Sequence, residues 1–146
     1  MIDPAKYNAW FRNSLSKHHP DLISVIEDRE HQGLSYLRGS IVHDDPRRSI
    51  VISNYGGEIT VAIDRHHVHF DHEAETTWDE DFAEAIEWIH DLITGQVFVC
   101  SKFDGDRFSS SLSTYSLNDV QLRRGERLEV ICYPETGFRE IHNDDD

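Results

Sequence analysis

The chain has 146 residues, and its 28 Asp and Glu against 14 Lys and Arg give a formal charge of −14 with histidine neutral. This excess of acids excludes proteins that neutralise nucleic-acid phosphates with clustered basic residues, and it argues against docking on an anionic membrane. The length is typical of one compact domain, and a hydrophobic content of 38% is enough for its core. We therefore expect a single domain over residues 1–146, with a disordered acidic tail at 143–146.

The amino terminus predicts a helix over residues 3–17. Asp3 is a suitable N-cap and Pro4 fits the first helical position, while apolar residues recur every three or four positions at Tyr7, Trp10, Phe11 and Leu15. No basic region followed by an apolar stretch precedes this helix, and no window reaches the roughly 20 apolar residues that cross a bilayer. A soluble, cytoplasmic protein is the expectation.

Strand-like segments separated by turn residues follow at 22–26, 34–41, 49–53, 58–63 and 67–71. The glycines of Asn54-Tyr55-Gly56-Gly57 suit a tight hairpin, which predicts antiparallel pairing of 49–53 with 58–63. A second helix is indicated by the capping box of Thr77 and Glu80, by apolar residues at helical spacing, and by Gly95 as the C-cap.

Further strands are predicted at 97–103, 107–115, 127–133 and 137–141. Cys100 and Cys132 lie within these segments without CxxC spacing, which favours buried, reduced thiols and leaves a bridge between them open. Helices and strands do not alternate as a parallel sheet requires. The predicted fold class is α+β, a mainly antiparallel sheet with both amphipathic helices packed on one face.

The charge is concentrated in one part of the chain. Residues 66–101 contain no Lys or Arg but nine Asp and Glu, most of them on the second predicted helix. A solvated helix face is one interpretation. However, such faces usually mix charges, and like charges at helical spacing repel each other by a few tenths of a kcal/mol, roughly, per pair. We therefore predict that this face binds a basic protein partner, through Asp79, Glu80, Glu84, Glu87 and Asp91.

A histidine-rich strand carries the pattern H-x-H-x-D-H. In an extended chain His67, His69 and Asp71 share a face, and imidazole with carboxylate suits a divalent metal such as zinc. The pattern resembles the metal-binding signature of the metallo-β-lactamase superfamily, which would imply a hydrolase with a metal-activated water. The only later candidates for ligands, His90 and His142, are not in a matching context. A metal-dependent hydrolase is therefore an alternative, and no cofactor is the leading expectation.

Other enzyme signals are weaker, so catalysis is not favoured. Asp64 with His66 or His69 would make an acid–base pair, but no serine or cysteine stands in a nucleophile context. A third interpretation is a structural or oligomerising protein that pairs through a sheet edge near residues 109–115.

The segment 57–64, Gly-Glu-Ile-Thr-Val-Ala-Ile-Asp, continues into His69-Phe70-Asp71, an acidic linker, an amphipathic helix and a strand. This order resembles the small bacterial immunity proteins of polymorphic toxin systems, over about residues 57–103. The resemblance implies a cytoplasmic antidote that binds a cognate toxin, possibly a nuclease, without catalysis. It assigns no individual residue, so the acidic positions above are nominated from their charge alone.

Overall fold

The computed structural model describes residues 4–18, 20, 25–55, 58–71 and 77–143, without the side chains of residues 4, 18, 71, 78 and 79. Its contacts form two compact units, Met1–Glu87 and Trp88–Asp146, which we describe in turn. The single domain stays a prediction, and the tail residues 144–146 lie outside the described part. Among the described helices, none has the length and apolar character needed to cross a bilayer.

The first unit contains helix α1 (Pro4–His18) and a five-stranded antiparallel sheet with its strands in chain order. The strands are β1 (Glu27–His31), β2 (Leu34–Ile41), β3 (Ile50–Ser53), β4 (Glu58–Ile63) and β5 (His66–Asp71). The predicted hairpin is confirmed, because β3 and β4 pair antiparallel with Ile52 opposite Val61. The glycines of its predicted turn, at 56 and 57, lie outside the described residues.

Strand β1 was not predicted from the sequence. Of the strand expected at 22–26, residues 22–24 lie outside the described part, and Val25 and Ile26 are not in a strand. β1 is exposed along its whole length, so apolar alternation does not mark it. β1 and β2 form a hairpin through the two-residue turn Gln32-Gly33. The φ values of these residues, 51° and 78°, are both positive, as a type I′ turn requires.

The core of the first unit lies on one face of the sheet. Alternate residues of β3 and β4 are buried, and α1 packs against β2. The aromatic face of α1 meets Phe82, whose ring centroid lies 5.9 Å from that of Tyr7 and 5.4 Å from that of Phe11. The opposite face of the sheet carries the polar residues of β4 and β5.

Helix α2 (Trp78–Ile93) begins in the first unit and ends in the second. The predicted capping box is confirmed: the Thr77 N–H donates to Glu80 Oε2 (3.3 Å) and the Glu80 N–H to Thr77 Oγ1 (3.2 Å). At the other end Gly95 has φ 82°, its N–H donates to Leu92 O, and the Gln96 N–H donates to Asp91 O. These two bonds form a Schellman motif, which confirms Gly95 as the C-cap glycine.

The second unit contains a four-stranded antiparallel sheet in the order β7-β6-β8-β9. Its strands are β6 (Phe98–Asp104), β7 (Arg107–Thr114), β8 (Glu126–Ile131) and β9 (Arg139–His142). Cys100, Leu128 and Val130 form a buried cluster, and the loop after β7 covers it. Cys100 and Cys132 are both buried and free, and burial raises the pKa of the Cys100 thiol to about 11. The α+β class is confirmed, with the strands divided between two sheets.

A buried arginine fixes the loop between β2 and β3. Arg48 is only 1% exposed, and its guanidinium bonds Asp45 Oδ2 at 2.5 Å. Asp45 Oδ1 also accepts from the Arg47 N–H (3.1 Å) and so caps the short 3-10 turn Pro46–Arg48. The Arg47 N–H and the Arg48 guanidinium lower the pKa of Asp45.

Replacing Gly95 by alanine should destabilise the protein more than the same change at Gly125. Both glycines have left-handed backbone, with φ 82° and 85°, and a side chain there costs about 1–2 kcal/mol. A Cβ at Gly95 would also lie 3.1 Å from Pro134 Cγ, whereas nothing lies within 4 Å at Gly125. Urea unfolding of the two variants measures the difference. Equal losses would show that the contact with Pro134 adds nothing.

The interaction of Asp45 predicts a pH dependence of stability. Because its pKa is lowered on folding, its contribution is fully present above the unfolded pKa of about 3.9 and is lost as the pH falls through the lower folded pKa. Asp45→Asn should therefore have a lower unfolding midpoint than the wild type at pH 7, and the gap should narrow below about pH 4. Asp44→Asn is the control for the loss of one charge, since Asp44 is exposed and has no hydrogen bond or ion pair with a described residue. A gap that stays constant into acid would contradict this role of Asp45.

Candidate functional site

Helix α2 separates three of its acids from its apolar residues. One side is buried and carries Phe82, Ala85, Ile86, Ile89 and Leu92, while Glu80, Glu84 and Glu87 are exposed on the other. We call these three exposed residues of the first unit the acidic α2 face. This separation follows from the 3.6-residue period, which places positions three or four apart on one side of a helix.

The charges of the acidic α2 face are not neutralised within the described part of the chain. Glu84 and Glu87 make no hydrogen bond or ion pair with a described residue, and the Glu80 carboxylate only accepts the capping bond from Thr77. Residues three and four apart on a helix have Cβ atoms about 5–6 Å from each other, so the three carboxylates are neighbours. The face is a compact negative surface on a helix that is capped at both ends.

The other two acids that the sequence nominated differ from these three. Asp79 is in α2, but its side chain lies outside the described ones. Asp91 belongs to the second unit and is half-buried, and its Oδ2 accepts a hydrogen bond from the Tyr115 hydroxyl at 2.9 Å. The structure therefore brings together Glu80, Glu84 and Glu87 and holds Asp91 in an internal contact.

Asp81 faces the interior of the first unit, although it lies among the exposed acids in the sequence. Its side chain is 4% exposed. Burial raises the pKa of the Tyr7 hydroxyl, and the charges of Asp81 and Glu58 raise it further. Asp81 is therefore not part of the acidic α2 face.

The histidine-rich strand β5 places His67 and His69 on the solvent side of the first sheet. Phe70 is buried, whereas His67 and His69 are exposed with ring centroids 4.8 Å apart. His69 lies opposite Thr60 in the register, and its Nδ1 contacts Thr60 Oγ1 (3.0 Å) and the Glu58 carboxylate. One nitrogen of His69 is thus already engaged by the neighbouring strand.

The proposed metal ligands are brought together only in part. His67 and His69 are adjacent, but the side chain of Asp71 lies outside the described ones. Among the described residues there is no group of three or more His, Cys, Asp or Glu side chains placed to hold a metal ion. Of the later candidates His90 is exposed, and His142 Nε2 lies 3.3 Å from Glu140 Oε2. The metal alternative stays a prediction.

The predicted acid–base pair is replaced by ion pairs. Asp64 contacts the guanidinium groups of Arg47 (3.2 Å) and Arg65 (3.7 Å), and within the described part of the chain neither His66 nor His69 is its partner. Burial lowers the pKa of His66, and the neighbouring His67 lowers it further. Arg47 and Asp64 lie at the edge of a cavity of about 370 Å³ that is otherwise mainly apolar.

One feature of the second unit was missed by the sequence analysis. A cavity of about 520 Å³ is lined by Lys102, Ser109, Ser110, Gln121, Leu122, Arg123 and Glu126, and we call it the basic cavity. Lys102 is on β6 and the serines are on β7, while the remaining residues come from the segment leading into β8 and from its first residue, Glu126. No short motif signals this site, because residues of the β6–β7 hairpin and of the segment around Arg123 build it together.

Comparison of the chain with protein-family models, with curated proteins and with solved structures found no match.

Proposed function

We propose that the protein is a cytoplasmic binding protein that neutralises a basic toxin domain, such as a nuclease, in the manner of immunity proteins. The observation that carries the proposal is the acidic α2 face, where Glu84 and Glu87 are exposed and have no ion pair with a described residue. A partner with clustered lysine or arginine supplies the missing positive charges.

The physical basis is that like charges on a folded helix are unfavourable alone and favourable against a cationic surface. Each close pair costs a few tenths of a kcal/mol, roughly, in the free protein. A basic partner removes this repulsion, and the negative potential increases the association rate. A nuclease active site binds phosphates, so a row of carboxylates presents it with the charge it normally recognises.

The capped ends of α2 make the acidic α2 face suited to binding. The Thr77–Glu80 capping box and the bonds around Gly95 fix the helix at both termini. A rigid surface loses less conformational entropy when it binds than a flexible loop does. We therefore expect little backbone change in α2 on complex formation.

Reversing the charges of the acidic α2 face should weaken binding. The candidate partner is the basic carboxy-terminal domain of a protein encoded beside this one, purified and titrated at low and high salt. We expect Glu84→Lys/Glu87→Lys to reduce affinity by at least about tenfold, mainly through slower association, and high salt to weaken the wild-type complex.

The matched control is Asp104→Lys/Asp106→Lys, which makes the same charge change in an exposed turn of the second unit. Its affinity should stay within about threefold of the wild type at moderate salt. Equal losses in both double variants, or a complex insensitive to salt, would contradict the proposal. The absence of any neighbouring gene for a basic domain would contradict the antidote role.

A second candidate function, self-association, is favoured by the edge strand β7. It is the last strand of the sheet as described, and no residue from Phe108 to Thr114 is charged. Strand β1, at the edge of the other sheet, consists of charged residues and a histidine. Charges at a sheet edge oppose pairing between copies, so β7 is the less protected of the two.

If β7 pairs with its copy, the solution mass should be twice the 17.0 kDa of the chain. Ser111→Lys would then restore the monomer, because it places like charges across the two-fold axis. Light scattering after size exclusion measures both masses. A wild-type monomer at about 100 μM would rule out this candidate.

A further inference from the structure

The basic cavity departs from the charge of the chain as a whole. The protein carries −14, yet the cavity is lined by two basic residues, Lys102 and Arg123, and one acid, Glu126. A site with excess positive charge in so acidic a chain points to an anionic ligand.

Several hydrogen-bond donors that line the cavity are not used by the described residues. The Arg123 guanidinium and the hydroxyls of Ser109 and Ser110 have no hydrogen bond or ion pair within the described part of the chain. Lys102 Nζ donates one hydrogen bond, to Gln121 O at 3.3 Å. An ammonium group has three N–H donors, so two of them remain available to a ligand.

A β-bulge brings the two serines to the same cavity. Ser110 lies opposite Lys102 and Phe108 opposite Phe103, so Ser109 is the extra residue on β7 where the register shifts. Consecutive residues of a regular strand point to opposite faces, and a bulge changes this alternation. Bulges are common beside binding sites because they redirect a side chain.

Glu126, the acid among the described residues that line the cavity, is held by the backbone. Glu126 Oε1 accepts a hydrogen bond from the Arg123 N–H at 2.6 Å. The same loop is closed by the bonds from Glu126 N–H to Arg123 O (3.0 Å) and from Gly125 N–H to Asn143 O (3.0 Å). Asn143 Nδ2 also donates to Leu122 O at 2.7 Å. The segment that carries Arg123 is therefore fixed before any ligand arrives.

We propose that the basic cavity binds the phosphate group of a small molecule. A guanidinium recognises phosphate oxygens through paired N–H donors, an ammonium adds a second positive charge, and the serine hydroxyls donate to the remaining oxygens. The volume of about 520 Å³ lies in the range of small-ligand sites, so the cavity has room for a phosphate ester of about nucleotide size as well as for the free ion. This site is in the second unit and is independent of the acidic α2 face.

Calorimetric titration tests the proposal with inorganic phosphate, adenosine 5′-monophosphate and adenosine. We expect inorganic phosphate and adenosine 5′-monophosphate to bind saturably, and adenosine not to bind. Arg123→Ala and Lys102→Met should each reduce affinity at least about tenfold. Arg139→Ala is the matched control, because Arg139 pairs with Glu135 outside the cavity in the same unit.

Tighter binding of the nucleotide than of phosphate identifies an esterified ligand, and equal affinity identifies the free ion; either result supports a phosphate site. The proposal is overturned if neither phosphate saturates, or if Arg139→Ala weakens binding as much as Arg123→Ala. Arg123 is exposed, so its variant should keep the wild-type unfolding midpoint and report on binding alone.

Discussion

The helical phase of α2 is the constraint on which the rest of the structure depends. The same period that buries Phe82, Ala85 and Ile86 in the first unit leaves Glu80, Glu84 and Glu87 in solvent. A shift of one residue would rotate the helix by about 100° and bring carboxylates toward the apolar interior. Burial of the apolar side chains contributes more free energy than repulsion among the exposed carboxylates costs. The packing of the core therefore determines where on the surface the acids lie.

Among the described residues, the arginines pair with acids outside α2 and not with the exposed acids of α2. Many of them form ion pairs elsewhere, namely Arg12–Asp28, Arg29–Glu27, Arg47–Asp64, Arg48–Asp45, Arg127–Glu129 and Arg139–Glu135. The pairs whose side chains are both exposed, Arg12–Asp28, Arg29–Glu27 and Arg139–Glu135, contribute little stability individually. Their importance is that they neutralise acids outside α2 and leave Glu84 and Glu87 without an ion pair among the described residues. The acidic α2 face therefore keeps negative charge that forms no ion pair among the described residues.

Local signals in the sequence predicted most of the fold. The bounds of β2 and β4 and both ends of α2 followed from alternation and capping, since each is determined by neighbouring residues. β1 was missed because its residues are charged and its strand conformation depends on the Gln32-Gly33 turn and on pairing with β2. Periodicity also does not reveal which strands pair, so the division into two sheets could not be predicted.

The same distinction between local and long-range structure applies to the candidate sites. Glu80, Glu84 and Glu87 were predictable because one helix carries all three. The hydrogen bond between Asp91 and Tyr115 was not, because it joins residues 24 positions apart. The basic cavity was also invisible, since a bulge at Ser109 and a loop at Arg123 build it together. Sequence patterns can therefore indicate a candidate site on one element, but they do not reveal a candidate site that tertiary structure assembles.

Carboxylate footprinting of the protein with the proposed basic partner tests the central claim most directly. Carbodiimide labelling followed by mass spectrometry reports how accessible each acid is in the free and bound states. We expect labelling of Glu84 and Glu87 to fall strongly in the complex, while that of Asp104 and Asp106 stays unchanged. Unchanged labelling of Glu84 and Glu87 in a saturated complex would contradict the assignment of α2 as the recognition face.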